Sequence, residues 1–161
     1  MFTSIKPAAV AALLLTAVSA SAETTLDLSV FKLVAEVVVE NGVETQKTSM
    51  VPATSSVPGD TMMYRISMHN TDDLDATDID MVLPLDAHTS FVEGSLSGDI
   101  DVSALYSVNN GDFFGAISEL TVKKDDELRP ATVDDLTNIK ILIPILAAGE
   151  HAKIEYAITV D

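Results

Sequence analysis

The sequence predicts an all-β protein: a sandwich of about eight to ten short strands with one helical turn near 132–137. Three observations predict it. Apolar residues recur with a period of two, turn signals separate the alternating runs at short intervals, and a helix-capping pattern occurs at one place. In the run from His151 to Val160, Ala152, Ile154, Tyr156, Ile158 and Val160 form one face. His151, Lys153, Glu155, Ala157 and Thr159 form the other, which is the signature of a half-buried strand. From Thr61 to His69, Met62, Tyr64, Ile66 and Met68 face inward, while Met63, Arg65, Ser67 and His69 face outward. Ile79, Met81 and Leu83 alternate with Asp78, Asp80 and Val82, and Pro84 ends that strand because proline cannot donate to a ladder.

The turns follow from residue chemistry. Asn41-Gly42 tolerates the positive φ of a type I′ hairpin, so Glu40 should face Val43 and Glu36 should face Lys47. Asn110-Gly111 predicts a second hairpin between the Ala104–Val108 run and Asp112-Phe113-Phe114-Gly115, and Asp125-Asp126 predicts a third. Pro58-Gly59-Asp60 and Ala148-Gly149-Glu150 mark turns entering strands. Thr132 with Asp135 three residues later is a capping box, predicting one helical turn before a strand over residues 138–143.

The first 22 residues stand apart. A single cation, Lys6, precedes an apolar run from Pro7 to Val18, and Ala20-Ser21-Ala22 provides a small-x-small cleavage site. This is the layout of a secretory signal peptide, and the run is shorter than the roughly 20 apolar residues a membrane span needs. No cysteine follows it, which excludes a lipid-modified N-terminus. Cleavage after Ala22 leaves 139 of the 161 residues, 23–161, as a single β-sandwich domain that is periplasmic, secreted or at the cell surface. A chain of that length buries roughly two thirds of its unfolded surface, enough for one core without staples. With no cysteine, stability rests on apolar burial and backbone pairing.

Charge narrows the partners. Of nine Lys and Arg one lies in the leader, so the mature chain sets eight cations against 25 acids, a net charge of −17. Such a field repels nucleic acid and anionic membrane surfaces. It suits solubility, or a cationic or basic partner.

Catalysis lacks its parts. There is no cysteine, no serine sits in a Gly-x-Ser-x-Gly elbow, and His69, His88 and His151 are far apart in the sequence. The chain is therefore expected not to be an enzyme and to need no cofactor. Calcium is the alternative worth stating. Asp72, Asp73, Asp75, Asp78 and Asp80 fall within nine positions and supply the oxygen ligands this ion prefers. EF-hand spacing fails: counting from Asp73, Asp78 occupies the sixth position, where glycine is required, and Pro84 the twelfth, where glutamate is required. The competing reading is a polar turn followed by the wet face of a strand.

A second candidate is the hairpin from Leu26 to Val51. Val34, Val37, Val38 and Val39 place apolar residues on both of its faces. Either the hairpin packs across the sandwich, or it meets a protein partner or a second copy by strand pairing, as in a surface polymer.

One stretch carries a family resemblance. It contains Pro58-Gly59-Asp60, Tyr64, Asn70-Thr71, Ala76 with Ile79 and Met81, Leu83-Pro84, and Phe91-Val92-Glu93-Gly94-Ser95. In this order the motifs resemble the bacterial conserved-repeat domain of unknown function eleven family. Tyr106-Ser107-Val108, Arg129-Pro130-Ala131-Thr132 and the closing strand after Gly149-Glu150 resemble its single-domain periplasmic members. The sequence departs from that pattern at Ile141, where members often carry tryptophan, and at Ala148, where they carry proline. The resemblance implies an immunoglobulin-like β-sandwich exported to the envelope, with a structural or interaction role and no catalytic residues.

Overall fold

The computed structural model of the chain describes Leu14–Leu15, residues 23–40 and residues 43–161. The leader predicted over residues 1–22 therefore lies outside the described residues, apart from Leu14–Leu15. Twelve strands are described, in chain order: β1 (Leu14–Leu15), β2 (Thr24–Glu40), β3 (Val43–Pro52), β4 (Thr61–Asn70), β5 (Ala76–Pro84), β6 (Thr89–Phe91), β7 (Ser97–Gly98), β8 (Ser103–Ser107), β9 (Thr121–Lys124), β10 (Glu127–Pro130), β11 (Asn138–Leu146) and β12 (His151–Val160). β1 and β7 are only two residues long, so the excess over the expected count consists of two minimal pairings. The protein is all-β, as the alternation predicts.

Two antiparallel sheets form the layers. One runs β3-β2-β4-β12-β6, with β7 also pairing with β12, and the other runs β1-β5-β11-β8; β9 and β10 make a separate hairpin. The alternating faces explain the core between the sheets. Met62, Ile66 and Met68 of β4 and Ile154, Tyr156 and Ile158 of β12 come from the first sheet. Met81 and Leu83 of β5 and Ile139, Ile141 and Ile143 of β11 come from the second. Tyr64 and Tyr156, directly opposite across β4 and β12, stack with ring centroids 5.1 Å apart. One predicted outward residue, Ala157, is buried instead. Its small side chain faces Met63 across the ladder, and its backbone is closed by the Val92 N–H and by Ser95, whose Oγ accepts the Ala157 N–H at 2.9 Å.

The turn chemistry is visible in the backbone. Asn41 and Gly42 lie outside the described residues, but the strands they join pair as expected, Glu40 with Val43 and Glu36 with Lys47. Asp125 and Asp126 take φ of 51° and 66°, joining β9 to β10 as a two-residue turn. Asn110 and Gly111 also turn with positive φ, at 58° and 89°, but the expected second hairpin strand shrinks to a single bridge between Tyr106 and Gly115. The buried Ser107 hydroxyl takes up the loop's amides from Asn109 and Gly111, so the segment closes on a side chain rather than on a ladder. The capping box forms one 3-10 turn, Val133–Asp135. β11 continues past the expected residue 143 to Leu146, carrying Pro144. Proline is tolerated there because β8 pairs with β11 only from Asn138 to Leu142.

Candidate functional site

The first candidate is built by a mismatch of strand lengths. β2 pairs with β4 from Thr24 to Leu33 and with β3 from Phe31 to Glu40. Beyond Leu33, where β4 begins at Thr61, residues 34–40 keep only β3 as a ladder partner among the described residues. The hairpin therefore extends past the sandwich as a two-stranded arm. A two-stranded ribbon is marginal on its own in water, so an arm of this kind invites a further contact.

The arm has two unlike faces. Phe31, Leu33, Ala35, Val37 and Val39 share one side of β2 by the strand period, continuing the outer face of the sheet toward the tip. Val34, Glu36, Val38 and Glu40 share the other. At the base of the outer face the Arg65 guanidinium lies over Phe31, 4.7 Å from the ring centroid, and its Nε donates to Glu155 at 2.6 Å. Toward the tip this cover is gone: Val37 is 65% exposed and Val39 62%. Of the four valines singled out in the sequence, Val34 and Val38 are half-buried on the glutamate side and Val37 and Val39 are exposed on the apolar side.

The acidic stretch is divided rather than gathered. Asn70 is fully buried, and its amide donates to the carbonyls of Leu74, Leu146 and Ala147 at 2.8, 3.0 and 3.1 Å. Its Oδ1 accepts the Asp72 N–H at 3.2 Å. The Asp72 carboxylate in turn accepts the Asp73 N–H at 2.7 Å, and Asp75 accepts the Ala148 N–H at 2.9 Å. These are the local bonds for which turns select aspartate. Asp80 lies 3.5 Å from Lys140. Asp78 leaves the regular pleat altogether: it takes φ of 53°, and the β5–β11 ladder skips the rung it would share with Pro144. The expected strand face with Asp78 and Asp80 side by side is thus interrupted at Asp78, whose positive φ turns it out of the pleat. Among the described residues no three carboxylate or imidazole groups converge on a common point.

Sequence separation hides one pairing. His69 and His151 are opposite residues on β4 and β12, and their rings stack 3.8 Å apart at 11°. The antiparallel register of the two alternating strands was the signal that would have found it. His88 stays apart in its loop, where its carbonyl accepts the Asp161 N–H. A further polar pair is structural: Arg129 of β10 makes two bonds to Asp135, Nη1 to Oδ2 at 2.8 Å and Nη2 to Oδ1 at 2.6 Å. Asp135 also accepts the N–H and hydroxyl of Thr132. Chiefly through the Arg129 bonds, its carboxyl is held well below the usual carboxylate range.

No protein-family model matches the sequence, and no curated protein or solved structure matches it either. No helix among the described residues is long and apolar enough to cross a membrane.

Proposed function

We propose that the protein is an exported, non-catalytic β-sandwich module with a structural or protein-interaction role at the bacterial envelope or outside the cell. The observation that carries this reading is the arm of residues 34–40, with Val37 and Val39 exposed on one continuous apolar side. Exposed apolar surface contiguous with a sheet marks an interaction site more often than a solubility device. The leader-like first 22 residues and the acidic mature chain support export, and the resemblance to the conserved-repeat family supports an envelope address. Working without catalysis, such a module would act by holding a partner.

The test is crosslinking in the producing cell. A photoreactive residue at position 37 should capture a protein in the envelope or medium, while one at exposed Asp112, in the Asn109–Phe113 loop, should not. Equal or absent capture at both positions overturns the interaction role. A cytoplasmic chain that retains residues 1–22 overturns the exported one.

A further inference from the structure

We propose that the open edge of the arm pairs with the same edge of a second copy of this chain, antiparallel and centred on Val37. This rests on the interaction reading above and names its partner.

The backbone decides which groups are free. Both β2 ladders keep one constant register along their whole length, so β2 runs without a bulge. In an antiparallel ladder alternate residues point their N–H and C=O to opposite sides. The Val30 carbonyl accepts the Ala53 N–H, so Val30 points toward the β3 side. By alternation Val34, Glu36, Val38 and Glu40 do the same, while Ala35, Val37 and Val39 direct their backbone groups to the edge that β4 leaves open. Proline, lysine, other charges and bulges are the devices that normally blunt such an edge. Val34-Ala35-Glu36-Val37-Val38-Val39-Glu40 has no proline, lysine or bulge, and its two charges, Glu36 and Glu40, are on the face away from Val37.

The side chains decide the occupant. An antiparallel pairing about Val37 places Val37 against Val37, Ala35 against Val39, Glu36 against Val38 and Val34 against Glu40. No carboxylate then stands directly opposite another. The three residues whose backbone groups have no ladder partner among the described residues meet their own kind, closing three hydrogen-bonded pairs. On the apolar side, Ala35, Val37 and Val39 of the two copies make one unbroken patch. A shift of one residue to either side sets Glu36 against Val37 or Val39 and mixes the two faces. Within each hairpin Glu36 faces Lys47, which offsets one of the three glutamates of the arm, Glu36, Glu40 and Glu44. Joining two such chains leaves long-range repulsion between their bodies, which salt screens.

The absence of native cysteine makes the register directly readable. In the purified protein, Val37→Cys should form a disulfide-linked dimer under mild oxidation, since an antiparallel pair brings the two Cα atoms to about 5.5 Å. Val39→Cys alone should not, because its counterpart faces Ala35, whereas mixing Ala35→Cys with Val39→Cys should link the two. Sedimentation of the unmodified protein should show a species of twice the chain mass, its share rising with protein concentration and with salt. Val37→Lys should abolish that species with the far-ultraviolet circular dichroism unchanged. A strictly monomeric protein at all concentrations and salts overturns the proposal, as does equal crosslinking by Val37→Cys and Val39→Cys. If position 37 captures a different protein in the cell and the purified chain stays monomeric, the second copy is wrong and the interaction role stands. If position 37 captures nothing at all, both fall.

Discussion

The side-chain amide of Asn70 donates to the Leu146 carbonyl 3.0 Å away, joining the end of β4 to the end of β11. The same nitrogen reaches Leu74 and Ala147, so one buried amide closes the acidic turn and the turn between β11 and β12. Replacing it leaves the buried Leu146 carbonyl without a donor, a loss of about 1–3 kcal/mol, and frees two partly buried carbonyls besides. Asn70→Ala should therefore lower unfolding stability by about 2–3 kcal/mol in a denaturant titration. Asn70→Asp should cost more, because a carboxylate would face three carbonyl oxygens. A change below about 0.5 kcal/mol for Asn70→Ala, the range of an ordinary surface substitution, would show that the turn closes without it.

Asp135 makes stability depend on acid. Its carboxyl titrates well below its ordinary range, mainly because of the Arg129 bonds. A depressed folded-state value means that the unfolded chain takes up the proton first. The stabilisation is then complete above the unfolded carboxylate range, near pH ~4, and is lost as pH falls through and below it. The melting temperature should fall between about pH 5 and pH 2. In Asp135→Asn it should start lower at neutral pH and fall less over that interval. Asp60, lowered chiefly by its bond to Lys32 at 2.7 Å, adds a smaller slope of the same sign.

Much of this fold is written in local patterns. The alternation of β4, β5 and β12 gave their inward faces, Asn41-Gly42 gave a hairpin register and Asp125-Asp126 the place of another hairpin, because each depends on neighbours within a few residues. What was hidden depends on contacts across the sandwich. The burial of Ala157 comes from Met63 and the 92–95 segment, the His69–His151 stack comes from strand register, and the shortened hairpin after Gly111 comes from Ser107. The arm was half legible. Valines on both faces announced it, but its open edge depends on where β4 begins, which no pattern within residues 26–51 encodes.

The acidic stretch should be indifferent to calcium. Asp75 and Asp80 are engaged with the Ala148 N–H and with Lys140, and Asp78 is turned out of the strand face by its positive φ. A ligand that binds only the folded chain raises its melting temperature in proportion to the logarithm of its excess over the dissociation constant. We expect the melting temperature in millimolar calcium and in chelator to agree within about 1 °C. A rise of several degrees, abolished by Asp75→Asn, would restore a calcium role to the turn.

The valines of the arm and the isoleucines of the core should separate cleanly in their energetics. Ile154 is fully buried between the sheets, and Ile154→Ala should cost about 2–5 kcal/mol through lost transfer energy and the cavity left behind. Val37 is exposed beyond the sandwich, and threonine keeps its β-branched shape and strand preference. Measured at concentrations low enough to hold the chain as a monomer, Val37→Thr should change stability by no more than about 0.5 kcal/mol. Exposed valines at 37 and 39 that contribute little to the fold are then explained by what the arm touches. A loss above about 1 kcal/mol for Val37→Thr in the monomer would instead place that valine among the residues that hold the fold, and would remove the argument for an interaction surface there.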